Sequence, residues 1–506
     1  MVTRAAAAAG GVGVTAGAVV LAEVLTRLAR TGPGPVEAVA ETFIDFTPGW
    51  LKELAIDLFG TRDKLALGVG IAVVMLALAV VAGLEERRRR WSGAGVVVVL
   101  GVVAAAATAY RPDGGLLATW PVLACAVIGA LVLAAVLAPP EPLDAARAMA
   151  ERRTLDRRSL LKGAGLLTAG TLVGAGVARV TTAGRAPAAA PLTLPAPAAT
   201  APPVPAGADL KIPGVAPYRT PNADFYRIDT AFVLPRVDAA TWQLRVHGLV
   251  DQEVVLNLDE LLAQPLTQAW VTLCCVSNEV GGDLVSNALW LGLPVRDVLR
   301  RAGPRAGADM VLSRSVDGFT ASTPLAVLTD ERNALLAVGM NGTQLPPEHG
   351  YPVRLVVPGL YGYVSATKWV SELKVTRFAD ETAYWTDRGW SAHGPVKISS
   401  RIDVPRGRRQ LAPGDLVVAG VAWAQHTGIA GVEVRVDGGA WQSAELADEV
   451  SVDTWRQWVW HWAADAGEHA LEVRATGRDG TVQTGERAGV VPDGATGWHR
   501  VDVRVG

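Results

Sequence analysis

Cys274 and Cys275 are the residues in this chain best placed to do unusual chemistry. Neighbouring cysteines rarely bridge each other, and the third, Cys125, lies far away in an apolar run, so no disulfide framework is expected. The pair ends Val271-Thr272-Leu273-Cys274-Cys275-Val276, which reads as a buried strand, and opens onto the polar loop Ser277-Asn278-Glu279-Val280-Gly281-Gly282. Site residues often sit where a strand gives way to a loop. A thiolate there is a soft ligand for a transition metal, and Ser277, Asn278 and nearby amides could orient it. The alternative is that a buried cysteine acts only as a small apolar side chain.

Other candidates follow along the chain. Arg354 is flanked by Val353 and Leu355, and a buried charge needs a partner. Lys368 follows Ser365 and Thr367, downstream of the glycines in Pro358-Gly359-Leu360-Tyr361-Gly362, which permit close backbone approach. Asp317 before Gly318 suits either a hydrogen-bond acceptor or a plain turn. The seven histidines all lie at or after His247, so the N-terminal third cannot hold a bis-histidine haem.

These residues need a scaffold, and the 506-residue chain has room for two or three domains. Half its residues are hydrophobic, concentrated in the first 180. Four runs, at about 5–29, 65–84, 93–110 and 116–138, approach the roughly 20 apolar residues that span a bilayer. The first is interrupted by Glu23. A fifth, at about 160–178, follows Arg157-Arg158-Ser159-Leu160-Leu161-Lys162 and resembles a twin-arginine signal acting as an anchor. Placing Arg87–Arg90 and the arginines at 152–158 in the cytoplasm gives five spans and an outside C-terminus. Trp50–Phe59 could lie on the membrane surface as an amphipathic piece. An Ala/Pro-rich tether at 179–209 then leads to a globular body. Beyond about residue 400, short alternating strands separated by turns suggest an immunoglobulin-like β-sandwich, with Trp458, Trp460 and Trp462 as core. A net charge of −2 and the lack of a basic stripe argue against a nucleic-acid partner.

Within this body, a set of motifs resembles the molybdopterin domain of the sulfite oxidase family, especially its bacterial membrane-bound members. They are Asn222-Ala223-Asp224-Phe225-Tyr226, Leu273-Cys274-Cys275-Val276-Ser277-Asn278, Ser315-Val316-Asp317-Gly318-Phe319, Met340-Asn341-Gly342, His349-Gly350-Tyr351-Pro352-Val353-Arg354 and Gly362-Tyr363-Val364-Ser365-Ala366-Thr367-Lys368-Trp369. They stand in family order over about 180 residues. The resemblance implies a molybdenum–molybdopterin cofactor with Cys275, not Cys274, as metal ligand and catalytic residue. It assigns the cofactor's phosphate to His349, Arg354, Ser365, Thr367 and Lys368, with an arginine fork and a lysine point charge as suitable donors. Asn222, Phe225 and Tyr226 match the first cofactor-contacting loop, Asp317 would meet pterin nitrogens, and Ser277 and Asn278 would steady the ligand. The expected architecture is a transmembrane helical bundle (1–178), the tether (179–209), an α+β molybdopterin domain (210–400) and an immunoglobulin-like sandwich (401–506), through which family members often dimerise.

The chain departs from sulfite-oxidising members where they carry substrate-binding arginines. It has Glu279 and Val280 after the cysteine, Ile228-Asp229 after the Phe-Tyr pair, and Trp390 in place of a catalytic tyrosine. By Coulomb's law this loss of positive charge favours a neutral S-oxide or N-oxide over the sulfite dianion. The chain shows no haem or iron–sulfur motif, so electrons would pass to or from a separate quinone-linked protein or cytochrome. The expectation is thus a multi-pass membrane oxidoreductase on the extracytoplasmic side, in contact with lipid and a small-molecule substrate. The rivals are a sulfite dehydrogenase and a non-catalytic membrane scaffold.

Overall fold

The computed structural model describes residues 3–29, 34–47, 63–111, 116–137, 191–231, 233–407 and 410–506. They fall into a helical unit before residue 189 and a larger unit over 189–230 and 234–506.

The helical unit contains α1 (Arg4–Ala29), α2 (Pro35–Phe46), α3 (Asp63–Arg88), α4 (Ser92–Tyr110) and α5 (Thr119–Leu137). By length and composition, α1, α3, α4 and the stretch Leu116–Leu137 can each cross a membrane. Large apolar side chains such as Val73, Leu76, Val99, Val103 and Leu131 face outward, while alanines and glycines line the contacts. A Cβ on Gly83 would stand 2.1 Å from Ala7 O, and one on Gly101 would stand 2.1 Å from Ala126 Cβ. Such close, small-residue contacts bind helices together where water supplies no driving force.

Two acidic groups of this unit, Glu86 and Glu23, serve helix ends. Glu86 accepts bonds from the N–H groups of Trp91 and Ala94, each at 2.8 Å, and so caps α4. Glu23 accepts the Val36 N–H at 3.0 Å, capping α2 from within α1. Arg111 pairs with Glu41 at 2.8 Å. Helix α2, which lies outside the apolar runs, forms where Pro35 suits a first helical turn and Glu23 supplies a distant cap. The fifth apolar run, the paired arginines at 157–158 and Trp50–Phe59 lie outside the described residues.

In the larger unit, β1 (Gln243–Gly248), β2 (Val254–Asn257), β3 (Thr267–Cys274), β4 (Val285–Pro294), β5 (Met310–Ser315), β6 (Thr320–Pro324), β7 (Leu335–Met340), β8 (Thr343–Gln344), β9 (Arg354–Val356) and β10 (Val370–Thr376) form two sheets. Their orders are β2-β1-β10-β5-β6 and β3-β4-β7-β8, with β9 also on β7; only the β1–β10 pairing is parallel. Short helices at Leu258–Leu262, Val295–Ala302 and Leu325–Thr329 complete this α+β domain.

The β3-β4-β7-β9 layer is covered on both faces. Trp270, Cys274, Leu293, Leu336 and Leu355 enter one core, while Val271, Leu273, Trp290, Leu335 and Val356 enter the other with Phe225. Successive strand residues alternate faces, so Cys274 and Cys275 part company at the strand end.

The half of the predicted tether that is described, 191–209, runs along the body. Ala198 N–H reaches Leu266 O at 2.8 Å, Gln268 N–H reaches Ala199 O at 2.8 Å, and Trp270 Nε1 donates to Pro202 O at 3.2 Å. Its extended, proline-rich backbone suits a partner strand for β3, the last strand of its sheet.

Beyond residue 398, nine strands form two further sheets around one core: β11 (Ser399–Val404), β12 (Gln410–Leu411), β13 (Gly414–Trp423), β14 (Ile429–Val436), β15 (Gln442–Ser443), β16 (Glu445–Leu446), β17 (Arg456–Ala464), β18 (Gly467–Gly477) and β19 (His499–Val505). The sheets run β11-β13-β17-β16 and β12-β19-β18-β14-β15. Trp458, Trp460 and Trp462 of β17 enter the core between them.

Candidate active site

Cys275 stands at the mouth of the β3–β4 hairpin. Its N–H donates to Leu284 O at 2.9 Å, one step beyond the Cys274–Val285 pairing. Asn278 closes the turn, with its N–H on Cys275 O at 3.1 Å and its Oδ1 accepting Leu284 N–H at 2.8 Å. Burial pushes the Cys275 thiol up, while the amides of Ser277 and Val276 and the Ser277 hydroxyl pull it back by donating towards the sulfur. Those donors favour the thiolate, the form that binds metal. Cys274 turns into the apolar core, as a small hydrophobe would, and burial raises its thiol further.

The second centre is Arg354, which opens β9 and is 5% exposed. Its guanidinium donates to the carbonyls of His349 at 3.1 Å, Leu355 at 3.3 Å and Ala366 at 3.4 Å, and lies over Trp290 at 5.2 Å. Among the described residues no carboxylate pairs with it, and burial lowers it to about 10. A buried cation bound only by neutral groups is a ready receptor for an anion.

Lys368 is close by. At Gly350, with φ 107°, a Cβ would meet Arg354 Cβ at 2.9 Å and Lys368 Cβ at 3.1 Å, so only glycine lets the two residues converge. Lys368 Nζ donates to Asp229 Oδ2 at 2.6 Å and Glu348 O at 3.1 Å. Burial lowers it to about 8 against the opposing pull of Asp229.

An aromatic group links the two centres. Phe225 stacks on Tyr226 at 5.4 Å and meets Trp290 and His349 edge-on at 5.6 and 5.4 Å. Burial, then the neighbouring Cys275 and Cys274, hold the Tyr226 phenol far above its ordinary range, with Arg354 pulling the other way. His349 binds Asn222 O through Nε2 at 2.9 Å, and burial and Arg354 depress it to about 4. Asn222 is held in turn by Asn341, whose Nδ2 donates to Asn222 Oδ1 at 2.7 Å and Thr220 O at 2.9 Å.

The structure therefore gathers Asn222, Phe225, Tyr226, His349, Arg354 and Lys368, and ties Cys275 to Ser277 and Asn278. Three more of the expected residues make hydrogen bonds within the protein. The Ser365 hydroxyl donates inward to Tyr361 O at 2.9 Å, and the Thr367 hydroxyl pairs with Ser313 at 2.8 Å; both residues are fully buried. Asp317 Oδ1 accepts Phe319 N–H at 3.1 Å in the β5–β6 turn, the plain-turn alternative. Sequence reasoning missed Trp290 beneath Arg354, Asn341 behind Asn222 and Asp229 on Lys368. Each acts across 60 or more residues, and only the Asn341-Gly342 turn left a local sign.

A buried cysteine site and an anion receptor joined by aromatics define a class: a domain built for a metal-bearing cofactor with an anionic tail. The family model for the oxidoreductase molybdopterin binding domain matches residues 231–385. Mitochondrial sulfite oxidase of Mus musculus is 31% identical over 327 residues, covering 54% of this chain and 59% of that protein. The uncharacterized oxidoreductase YuiH of Bacillus subtilis (strain 168) is 32% identical over 157 residues, covering 31% of this chain and 76% of that protein. A solved structure, the sulfane dehydrogenase SoxCD from Paracoccus pantotrophus, aligns at 24% identity and TM-score 0.48 over 54% of this chain and 79% of its own.

The chain belongs to the sulfite oxidase-like family of molybdopterin oxidoreductases, whose cofactor is molybdenum–molybdopterin. It spans 59% of the length of the mitochondrial sulfite oxidase it matches. The described residues fit that cofactor: a soft cysteine sulfur with donors around it for the metal, and a buried guanidinium without a carboxylate partner among the described residues for the phosphate.

Proposed function

We propose that this chain is a membrane-anchored oxidoreductase catalysing oxygen-atom transfer to or from a small neutral S-oxide or N-oxide, exchanging electrons with a separate quinone-linked protein or cytochrome. The observation that carries the reading is Arg354, a buried guanidinium held by three carbonyls beside the Tyr226–Cys275 corner. Cys275 would hold the metal and Arg354 the phosphate, with His349 steadying the Asn222 loop beside them by donating from Nε2 to Asn222 O. Once bound, the molybdenum–molybdopterin cofactor supplies two-electron oxygen-atom chemistry. Tyr226 stays a phenol at neutral pH and so remains a proton donor between the two centres. Asp229 neutralises Lys368, and Glu279 stands exposed on the cysteine loop, which together weaken attraction for a dianion.

Four apolar helices and the arginine run after α3 support a multi-pass protein of the cytoplasmic membrane, in contact with lipid. The twin-arginine-like motif supports export of a folded, cofactor-loaded body to the extracytoplasmic side. The C-terminal pair of sheets is read as immunoglobulin-like and as a surface for homodimerisation.

Sulfite dehydrogenase is the second reading, favoured by the name of the mitochondrial relatives. The test is to purify the protein from membranes, measure molybdenum and pterin per chain, and assay dye-linked turnover of S-oxides, N-oxides and sulfite. One molybdenum with oxide turnover and near-background sulfite activity supports the proposal. Sulfite-dependent dye reduction alone replaces it with the second reading, and absence of both metal and pterin leaves a scaffold.

A further inference from the structure

The loop that carries Cys275 has a second anchorage, outside the molybdopterin domain. Cys275 N–H and Asn278 fix the end of the loop nearest the strands. The far end, at Gly281–Gly282, is held by the C-terminal sheets. Arg401 of β11 donates from Nη1 to Gly282 O at 2.7 Å. Its Nε is on Asp403 Oδ1 at 2.6 Å, and both residues are buried. Asp403 in turn accepts the Ala216 N–H at 2.9 Å through its other oxygen. Beside them His499 of β19 accepts Ile402 N–H through Nδ1 at 3.0 Å and packs its ring on Gly281. Gly281 has φ 82°, and a Cβ there would lie 2.3 Å from His499 Cδ2. The contact is thus moulded to a glycine with no side chain.

We propose that Arg401, supported by Asp403 and His499, is a positioning residue that sets the geometry of the Cys275 thiolate by clamping Gly282 to the C-terminal sheets. Two features single it out. A hydrogen bond from a buried, ion-paired guanidinium is among the stronger kinds and is rigidly directed. It ends seven residues after Cys275, on the return limb of the same hairpin loop. The C-terminal sheets therefore act on the reacting centre without touching it. As a claim about the metal ligand, the inference rests on the functional reading above; as a claim about the loop, it does not.

The experiment uses the full chain with Arg401→Gln and two readouts. Amide hydrogen exchange should quicken about tenfold or more at Cys275, Asn278 and Leu284, the scale set by losing one charge-assisted hydrogen bond, with β4 and β7 unchanged. In molybdenum-loaded protein, the paramagnetic Mo(V) resonance should broaden or split while molybdenum per chain stays at the wild-type level. Loop exchange equal to wild type overturns the inference, as does acceleration spread evenly over the body, which marks Arg401 as mere glue. A wild-type Mo(V) line shape with a loosened loop overturns the claim about thiolate geometry. A wild-type protein that holds no molybdenum defeats the functional reading, and exchange still judges the clamp. Should the Gln variant not fold, Arg401→Lys keeps the charge beside Asp403 but loses the fork that reaches Gly282 at the same time, and is held to the same results; failure of both to fold overturns the inference.

Discussion

Replacing Arg354 by lysine keeps the positive charge and removes the fork. In the wild type the guanidinium makes three N–H···O bonds, at 3.1, 3.3 and 3.4 Å, and covers Trp290. A lysine at this depth can keep one of the three carbonyls while facing the phosphate, and it loses the planar contact with the indole. Each charged hydrogen bond contributes about 1.5–3 kcal/mol, but the longer two lie at the weak end of that range. A loss of about 2–3 kcal/mol in cofactor binding is therefore expected, a factor of about 30–150 in affinity. Molybdenum and pterin per chain, measured together on protein purified under limiting cofactor supply, should fall in parallel. Circular dichroism should stay near wild type, while the unfolding midpoint should fall modestly, because the lost carbonyl bonds and indole contact are internal to the protein. Wild-type molybdenum and pterin in Arg354→Lys would refute the reasoning, since a solvated or purely structural arginine is the only remaining account.

Cys275→Ser should abolish bound molybdenum with the fold intact, whereas Cys274→Ala should keep the metal and lose about 1–2 kcal/mol of stability by chemical denaturation, as for a small buried side chain. His349 binds its proton near pH 4 in the folded state against about 6.5 unfolded, so the unfolded state takes up the proton first on acidification. Stability should fall by up to about 3 kcal/mol from pH 6.5 to 4 on this account, and His349→Gln should flatten that part of a pH–stability profile. Gly83→Val places a branched side chain where even a Cβ would stand 2.1 Å from Ala7 O. It should lower the melting temperature of the detergent-solubilised protein and separate α1 from α3, read by cross-linking; an unchanged melting curve would rule out the close helix contact.

Periodicity and composition made much of the architecture legible. The long apolar runs, the strands at 417–424, 431–436 and 469–475 and the core role of the three tryptophans all express local patterns of burial. The cysteine loop was equally visible, because a strand end and a polar turn are written in adjacent residues. What stayed hidden depends on distant partners. α2 needs a cap from Glu23, the proline-rich 191–209 segment looks free until β3 is seen beside it, and Ser365 and Thr367 look like surface donors until Tyr361 O and Ser313 claim them. Lys368 reads as a phosphate ligand from its motif, yet its charge is shared with Asp229, 139 residues away.

The segment from Leu192 to Pro202 has a practical consequence. Laid along β3, it covers backbone groups that would otherwise form an open sheet margin, the kind of surface through which chains stick to one another. A secreted fragment cut at residue 210 to avoid the apolar helices would strip that cover and is expected to aggregate. One beginning before Leu192 should remain dispersed, and light scattering of the two fragments at equal concentration would tell them apart.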